Sequence, residues 1–433
     1  MDPTTVGLFS IFALLALLAA GLPVAISMIL IGFLSYLAIA GLQPAAGILG
    51  MIPFSSLAHD TFTVVPMFVL MGAIAFHGGL GEVIYRFARN WVGHYPGGLA
   101  MATVFGCAWF GAISGSSVAC AATIGRIALP EMKKYGYRQS LAAGSVVAAG
   151  PLDAMIPPSI LMVIYASLTE TSVGKLLIAG IIPGVITAVI YAITIYIWAV
   201  WKPELAPPAS RVSWREKLVS AKENWGILLI FVTVIGGIYS GICTSTEAGA
   251  LGAAIAFIVV AVNRRASVAF FTETIKDTAK SMGLLFFIYV GAMLFSYQFG
   301  ISRIPFVFAE WLVRIEISPM LVLILIMIMY LILGTFMDTL AMIVLTMPVI
   351  FPIVLAFKFD PIWFGILVVH NCEIGMITPP FGITLFAVQA VAPDLPAKEM
   401  LAGIWPFLIA ALIALAIFIY FPGIALFLPN MMT

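Results

Sequence analysis

The chain has 433 residues, of which 63% are hydrophobic and 9% charged, with a net charge of +1. A soluble domain carries about 25% charged residues, so this composition excludes one, and the near-neutral charge gives no footprint for nucleic acid. The four cysteines (Cys107, Cys120, Cys243, Cys372) form no CxxC pair, and the four histidines (His59, His77, His94, His370) lack metal-ligand spacing, so neither a disulfide framework nor a zinc site is indicated.

Apolar runs near 20 residues recur along the chain, long enough to cross a lipid bilayer, and predict an all-α polytopic membrane protein. In chain order, helices are expected near 5–20 and 23–41, an interfacial segment near 43–60 and a helix near 63–80. The first run has no basic segment before it and reads as a retained helix rather than a cleaved signal. Two short apolar pieces, 97–113 and 117–130, flank the polar "SGSS" of Ser114 to Ser117 and predict a helical hairpin over about 97–130. A broken helix over about 138–170 follows, carrying "DAMIPPSI" (Asp153 to Ile160), then a helix near 183–201. A polar stretch, 202–225, links to helices near 226–241, 246–262 and 281–299. The pieces 319–334 and 338–356 flank "GTFMDT" and predict a second hairpin over about 319–356. A second broken helix, about 361–390 with "GMITPPFG", and a helix near 404–428 complete the chain.

The two halves, 1–201 and 226–433, show an internal correspondence. An offset of 222 positions puts Pro130 on Pro352, Pro157 on Pro379 and Pro158 on Pro380, with Pro183 one short of Pro406. Pro-Pro pairs inside apolar helices are unusual, so the chain reads as two structural repeats. If each hairpin is re-entrant, each half crosses the bilayer an odd number of times and the repeats are inverted. With the N-terminus outside, only Lys175, Arg303, Arg314 and Lys358 of the 20 basic residues fall on the outer side. The positive-inside rule therefore supports this orientation and puts both termini in the periplasm.

A proline has no N–H, so the carbonyl four residues earlier loses its partner. Pro157 and Pro158 are expected to free the carbonyls of Asp153 and Ala154, and Pro379 and Pro380 those of Gly375 and Met376. In lipid such groups survive only where protein, water or an ion satisfies them. The hairpin tips offer the complement: hydroxyls of Ser114, Ser116 and Ser117 beside Gly115, and Thr335, Asp338 and Thr339 beside Gly334. Hydroxyl and carbonyl oxygens with little formal charge suit a hard monovalent cation such as Na⁺. Plainer readings stay open. Small residues such as "SGSS" also make helix-packing surfaces, Asp338 could be a helix cap, and Asp153 could sit in a wet loop. His370, Asn371 and Glu373 receive no role.

The stretches "GAISGSSVACAATIGRIALPEMKKYGY", "DAMIPPSILMVIYA", "GTFMDTLAMIVLTMPVIFPI" and "IGMITPPFGI" resemble the large membrane subunit (M subunit) of tripartite ATP-independent periplasmic (TRAP) transporters. The resemblance spans essentially the whole chain. It implies an elevator-type, Na⁺-coupled importer of an organic anion in a bacterial inner membrane. It also implies two partners, a separate small four-helix membrane subunit and a periplasmic substrate-binding protein. Carried over residue by residue, one Na⁺ site would involve Ser114, Ser116, Ser117, Asp153, Met155 and Pro158. A second would involve Gly334, Thr335, Asp338, Thr339, Gly375, Ile377 and Thr378, with substrate near Gly115, Ser159 and Gly382. No organic cofactor is expected. Rival readings are a stand-alone Na⁺- or H⁺-coupled carboxylate carrier, an intramembrane enzyme and a passive channel. The enzyme reading lacks paired carboxylates or a nucleophile pair at useful spacing.

Overall fold

The computed structural model describes residues 2–58, 60–379 and 382–432. Pro380, the second member of the later proline pair, lies outside the described residues.

Three helices open the chain: α1 (Pro3–Ala19), α2 (Val24–Ala40) and α3 (Leu42–Leu57). Asp2 caps α1 by accepting the Thr5 N–H at 3.0 Å, as an N-cap carboxylate does. A 3₁₀ turn (Asp60–Thr63) leads into α4 (Val64–His77). Next comes α5 (Leu80–Val92), for which the sequence reading assigned no element. It buries Leu80, Ile84, Tyr85 and Ala88 on one face and turns Glu82, Arg86 and Arg89 off it, the period of a surface helix. It leaves α4 at 70°.

The first hairpin is α6 (Gly98–Ser114) against α7 (Ser117–Lys134). Gly115 closes α6 in the left-handed region, at φ 61°, where a side chain would be strained. The broken helix follows as α8 (Gln139–Ala149), a 3₁₀ turn (Gly150–Ala154) and α9 (Ile160–Thr169). Next, α10 (Val173–Ala179) and α11 (Ile181–Trp201) run on as one apolar stretch of 29 residues. The helix expected at 183–201 thus begins ten residues early. Pro183 lies in the first turn of α11, where its missing N–H costs nothing.

The polar linker contains a helix, α12 (Trp214–Glu223), held by a Ser213–Glu216 capping box and bent 49° from α13 (Trp225–Tyr239). Then come α14 (Ser245–Val262), α15 (Val268–Ser302) and α16 (Ile304–Arg314). The 35 residues of α15 make about 52 Å of helix, beyond a hydrocarbon core of about 30 Å. The sequence pattern marks only its apolar C-terminal part, 281–299. The second hairpin is α17 (Pro319–Gly334) and α18 (Thr339–Ala356). The second broken helix is α19 (Pro361–Ile377) and α20 (Ile383–Val391), and α21 (Ala397–Tyr420) and α22 (Gly423–Asn430) end the chain. The order of hairpin, broken helix and long helix therefore occurs twice. Among the described residues five helical stretches are long and apolar enough to cross a membrane, or seven if each bent pair counts as one span. The chain is a multi-pass membrane protein.

Packing falls into two neighbourhoods. In one, α15 lies along α2 and α4, and α14 along α4 and α13. In the other, both hairpins, both broken helices, α11 and α21 pack together. Tyr165 OH donates to the Pro361 carbonyl at 2.7 Å, joining the two broken helices. Helix α8 crosses closely on α21, where a Cβ on Gly144 would fall 2.5 Å from the Gly403 carbonyl carbon and 2.9 Å from its Cα. Small residues permit such contact between membrane helices.

Gly144→Val is therefore expected to destabilise the fold by about 1–3 kcal/mol, the cost of overpacking. Gly423→Ala, which meets open space, should leave the melting temperature unchanged. Thermal melts of both variants in the same detergent check the pair.

Candidate functional site

Each hairpin tip reaches the break in the broken helix of its own half. At the first, Gly111 packs against Asp153, with a would-be Cβ 2.5 Å from the Asp153 Cα. Ser117 Oγ, at the start of α7, donates to Asp153 Oδ1. Asp153 is fully buried, and its Oδ2 has no partner among the described residues. Ser114 Oγ, at the end of α6, is likewise buried and unpaired. Ser116, between them, extends the backbone at φ −132°. On the facing strand of backbone the Pro158 carbonyl lies beside Gly115, 3.2 Å from where a Cβ would stand. Ser159 caps α9, its Oγ accepting the Met162 N–H at 3.4 Å. The carbonyl of Met155 sits beside Gly180. No backbone hydrogen bond to the Asp153 or Ala154 carbonyl is found among the described residues, as their paired prolines predict. Buried polar atoms are nearly always satisfied, so an unpaired hydroxyl and carboxylate oxygen beside open carbonyls fit a bound hard cation.

The second tip is built differently. Gly334 packs directly on Gly375, with a would-be Cβ 2.8 Å from its Cα. The carbonyl of Gly375, expected to be free, accepts the Thr378 N–H at 3.1 Å. That of Met376 accepts the Thr384 hydroxyl at 2.8 Å. The break is therefore repaired by a tighter turn and by a side chain brought in from α20. Asp338 caps α18, its Oδ2 accepting the N–H groups of Leu340 and Ala341 at 3.1 and 3.5 Å. Thr335 and Thr378 return their hydroxyls to their own helix, to the Ile332 and Ile374 carbonyls at 2.7 and 2.6 Å. Thr339 and Ile377 are buried, and Gly382 starts α20 at φ 40°. The residues named for a second cation are thus assembled, but most of their polar atoms already have partners.

Both tips open onto one cavity of about 500 Å³, lined by Ser114 to Ala119, Ser159 to Leu161, Asp338 to Leu340 and Met376. Its opposite wall comes from the other neighbourhood, with Asp277, Lys280 and Ser281 of α15. Asp277 pairs with His77 Nε2 at 2.6 Å. Lys280 has no carboxylate partner among the described residues and is the one unpaired cation on the cavity wall. The sequence reading assigned Lys280 only to an inner loop. Nothing in the pattern joins it to tips that lie distant in the chain.

The residues His370, Asn371 and Glu373 of "HNCE", given no functional role from the sequence, lie buried in α19. His370 Nδ1 meets Glu373 Oε2 at 3.0 Å and its Nε2 meets the Ala411 carbonyl at 3.1 Å. Asn371 Nδ2 donates to the Met327 carbonyl at 3.0 Å. These bonds fix α19 against α21 and α17. Three polar residues within four positions of an apolar helix were the available signal. Among the described residues no group of three or more His, Cys, Asp and Glu side chains could hold a metal ion.

Residues 11–424 match the family described as "Tripartite ATP-independent periplasmic transporter, DctM component". The chain is 42% identical over 379 residues to the C4-dicarboxylate TRAP transporter large permease protein DctM of Pseudomonas aeruginosa, covering 87% of this chain and 88% of that one. It is 34% identical over 429 residues to the sialic acid TRAP transporter large permease protein SiaM of Vibrio cholerae, covering 98% of each. Among solved structures, the Alcanivorax borkumensis YdaH transporter aligns with a TM-score of 0.64 at 15% identity, over 88% of this chain and 90% of that one. That likeness concerns the fold alone.

Ser117→Ala should strand both oxygens of the buried Asp153 carboxylate, at a cost of about 1–3 kcal/mol. The double variant Ser117→Ala with Asp153→Asn should recover part of that loss, because no charge is then left unpaired. A double-mutant cycle of thermal melts reads the coupling.

Proposed function

This chain belongs to the DctM component family of tripartite ATP-independent periplasmic transporters, as a large permease subunit and not an enzyme, and from that premise we propose that it imports a small organic anion coupled to Na⁺. The observation that carries the reading is the shared cavity. On one wall stands the unpaired Ser114 hydroxyl, with Ala154 of the first break beside it and the unpaired carboxylate oxygen of Asp153 buried directly behind that wall. On the other stands the unpaired Lys280. The first wall suits a cation and the second a carboxylate.

The two walls belong to different packing neighbourhoods, which is the arrangement an elevator needs. The body of hairpins and broken helices carries its load, and the body with α15 is the frame. The hairpin arms α6 and α17, at 17 and 16 residues, fall short of the roughly 20 residues that cross a bilayer. Their length supports re-entrant hairpins and inverted repeats. In the orientation given by the positive-inside rule, Lys280 faces the cytoplasmic mouth, where it draws an anion from the tips toward release. Ser114, Ser117 and Asp153 hold the coupling ion against the broken helix. A membrane potential of 100 mV supplies about 2.3 kcal/mol for each net positive charge moved inward.

The names of the relatives point to C4-dicarboxylates and sialic acid, both carboxylates, and C4-dicarboxylates are the first class to test. The proposed partners are a small membrane subunit and a periplasmic binding protein, in a bacterial inner membrane with both termini in the periplasm. Full-rate uptake by this chain and a binding protein, without any small subunit, would refute that assembly.

In proteoliposomes holding the complete system, Ser114→Ala should shift half-maximal Na⁺ activation upward by about ten-fold, the loss of one ligand to a desolvated ion. The smaller shift is expected for Asp338→Ala, because that carboxylate already caps α18. Sodium activation unchanged in both variants overturns the assignment of the ion site. Lys280→Gln should raise the KM for substrate presented from the cytoplasmic side by about five- to ten-fold while leaving half-maximal Na⁺ unchanged. Equal KM values there would remove Lys280 from the substrate path.

A further inference from the structure

A second cavity, of about 420 Å³, lies among α5, α6, α11 and α13, shares no lining residue with the first, and reaches Ile156 of the first break. Its lining is almost wholly apolar, with Phe87, Trp91, Trp109, Val185, Val189 and Phe231 forming the walls. The rings of Trp109 and Phe231, with centroids 5.6 Å apart, join α6 to α13 across it. Trp91, Val185 and Val189 are exposed, so the groove is open at the surface of a membrane protein.

One residue of that wall also belongs to a cationic cluster. Lys217 Nζ lies 5.8 Å from the Trp91 ring centroid and 5.2 Å from that of Trp214 on α12. No carboxylate pairs with Lys217 or Arg211 among the described residues. Desolvation first, and the charges of Lys217 and Arg211 second, hold the His94 imidazole below its usual pKa, so both cations lie within electrostatic reach of the His94 ring. The linker is fastened here, by the Ala209 N–H to the Gly93 carbonyl at 3.0 Å and the Gly97 N–H to the Ala206 carbonyl at 3.2 Å. The cations are therefore held at the mouth of the groove.

An apolar slot with an aromatic rim and unpaired cations at one end has the chemistry of a single kind of ligand. We propose that this groove binds an anionic phospholipid, one acyl chain between α5, α6, α11 and α13 and its phosphate at Lys217 and Arg211. Aromatic rims and basic residues at the interface are how membrane proteins hold lipid headgroups. The site is independent of the Na⁺ and substrate assignments.

The test uses the purified full chain in detergent micelles, titrated with phosphatidylglycerol or phosphatidylcholine carrying brominated acyl chains, which quench tryptophan fluorescence on contact. Brominated phosphatidylglycerol should quench saturably and phosphatidylcholine only weakly. Lys217→Gln with Arg211→Gln should weaken phosphatidylglycerol binding by about twenty-five-fold, from about five-fold per basic residue. Arg211 is exposed and Lys217 half-buried over two tryptophan rings, and a thermal melt verifies that the double variant keeps its fold. Val189→Trp should fill the groove and reduce saturable quenching several-fold. Glycerol 3-phosphate at millimolar concentration should not displace the lipid. Equal quenching by the two lipids, or no effect of either variant, overturns the proposal. Displacement by glycerol phosphate would assign the cations to a free phosphate instead. A photo-crosslinker at Trp91 that captures a polypeptide rather than lipid in the assembled system would also overturn it.

Discussion

Backbone polar groups cannot be left bare in a bilayer, and that constraint governs both broken helices. A helix normally meets it by bonding each carbonyl to the N–H four residues on. Adjacent prolines remove two such donors at once. The chain answers in two different ways. Around Met376 it repairs the loss internally, through the Thr378 N–H and the Thr384 hydroxyl. Around Asp153 it does not, and the hairpin tip brings Ser117 to the carboxylate while Ser114 stays unpaired.

The consequence is an asymmetry between two halves whose motifs correspond. The first break keeps polar atoms available, which is the condition the proposed ion site needs. The second closes on itself through Gly334 and Gly375, so an ion there would have to displace internal hydrogen bonds. Such bonds contribute about 0.5–1.5 kcal/mol each, small enough for a bound charge to offset. The same sequence device thus yields sites of different readiness, and the surrounding side chains set which is which.

Much of the architecture was legible from the chain. The apolar runs located most of the helices, because a lipid environment forces helix wherever a run is long enough. The short pieces about "SGSS" and "GTFMDT" gave the hairpins, and the paired prolines gave the breaks. Elements with charge in them were less visible. The amphipathic α5, the capped α12 in the linker and the polar first turns of α15 carry Arg, Glu and Lys, and hydropathy alone passes over them. A capping box holds α12, the Ser267 cap starts α15, and one-sided packing holds α5.

The sequence by itself determined the environment, the positions of the breaks and the identity of the tips, since each depends on local chemistry: apolar length, a missing N–H, a small polar turn. Tertiary structure alone decided which carbonyls stay open, that Lys280 shares a cavity with tips far off in the chain, and that His370, held by Glu373, ties α19 to α21. Those outcomes depend on which side chain arrives at a given atom from another helix. A linear pattern holds no record of that until the helices have packed.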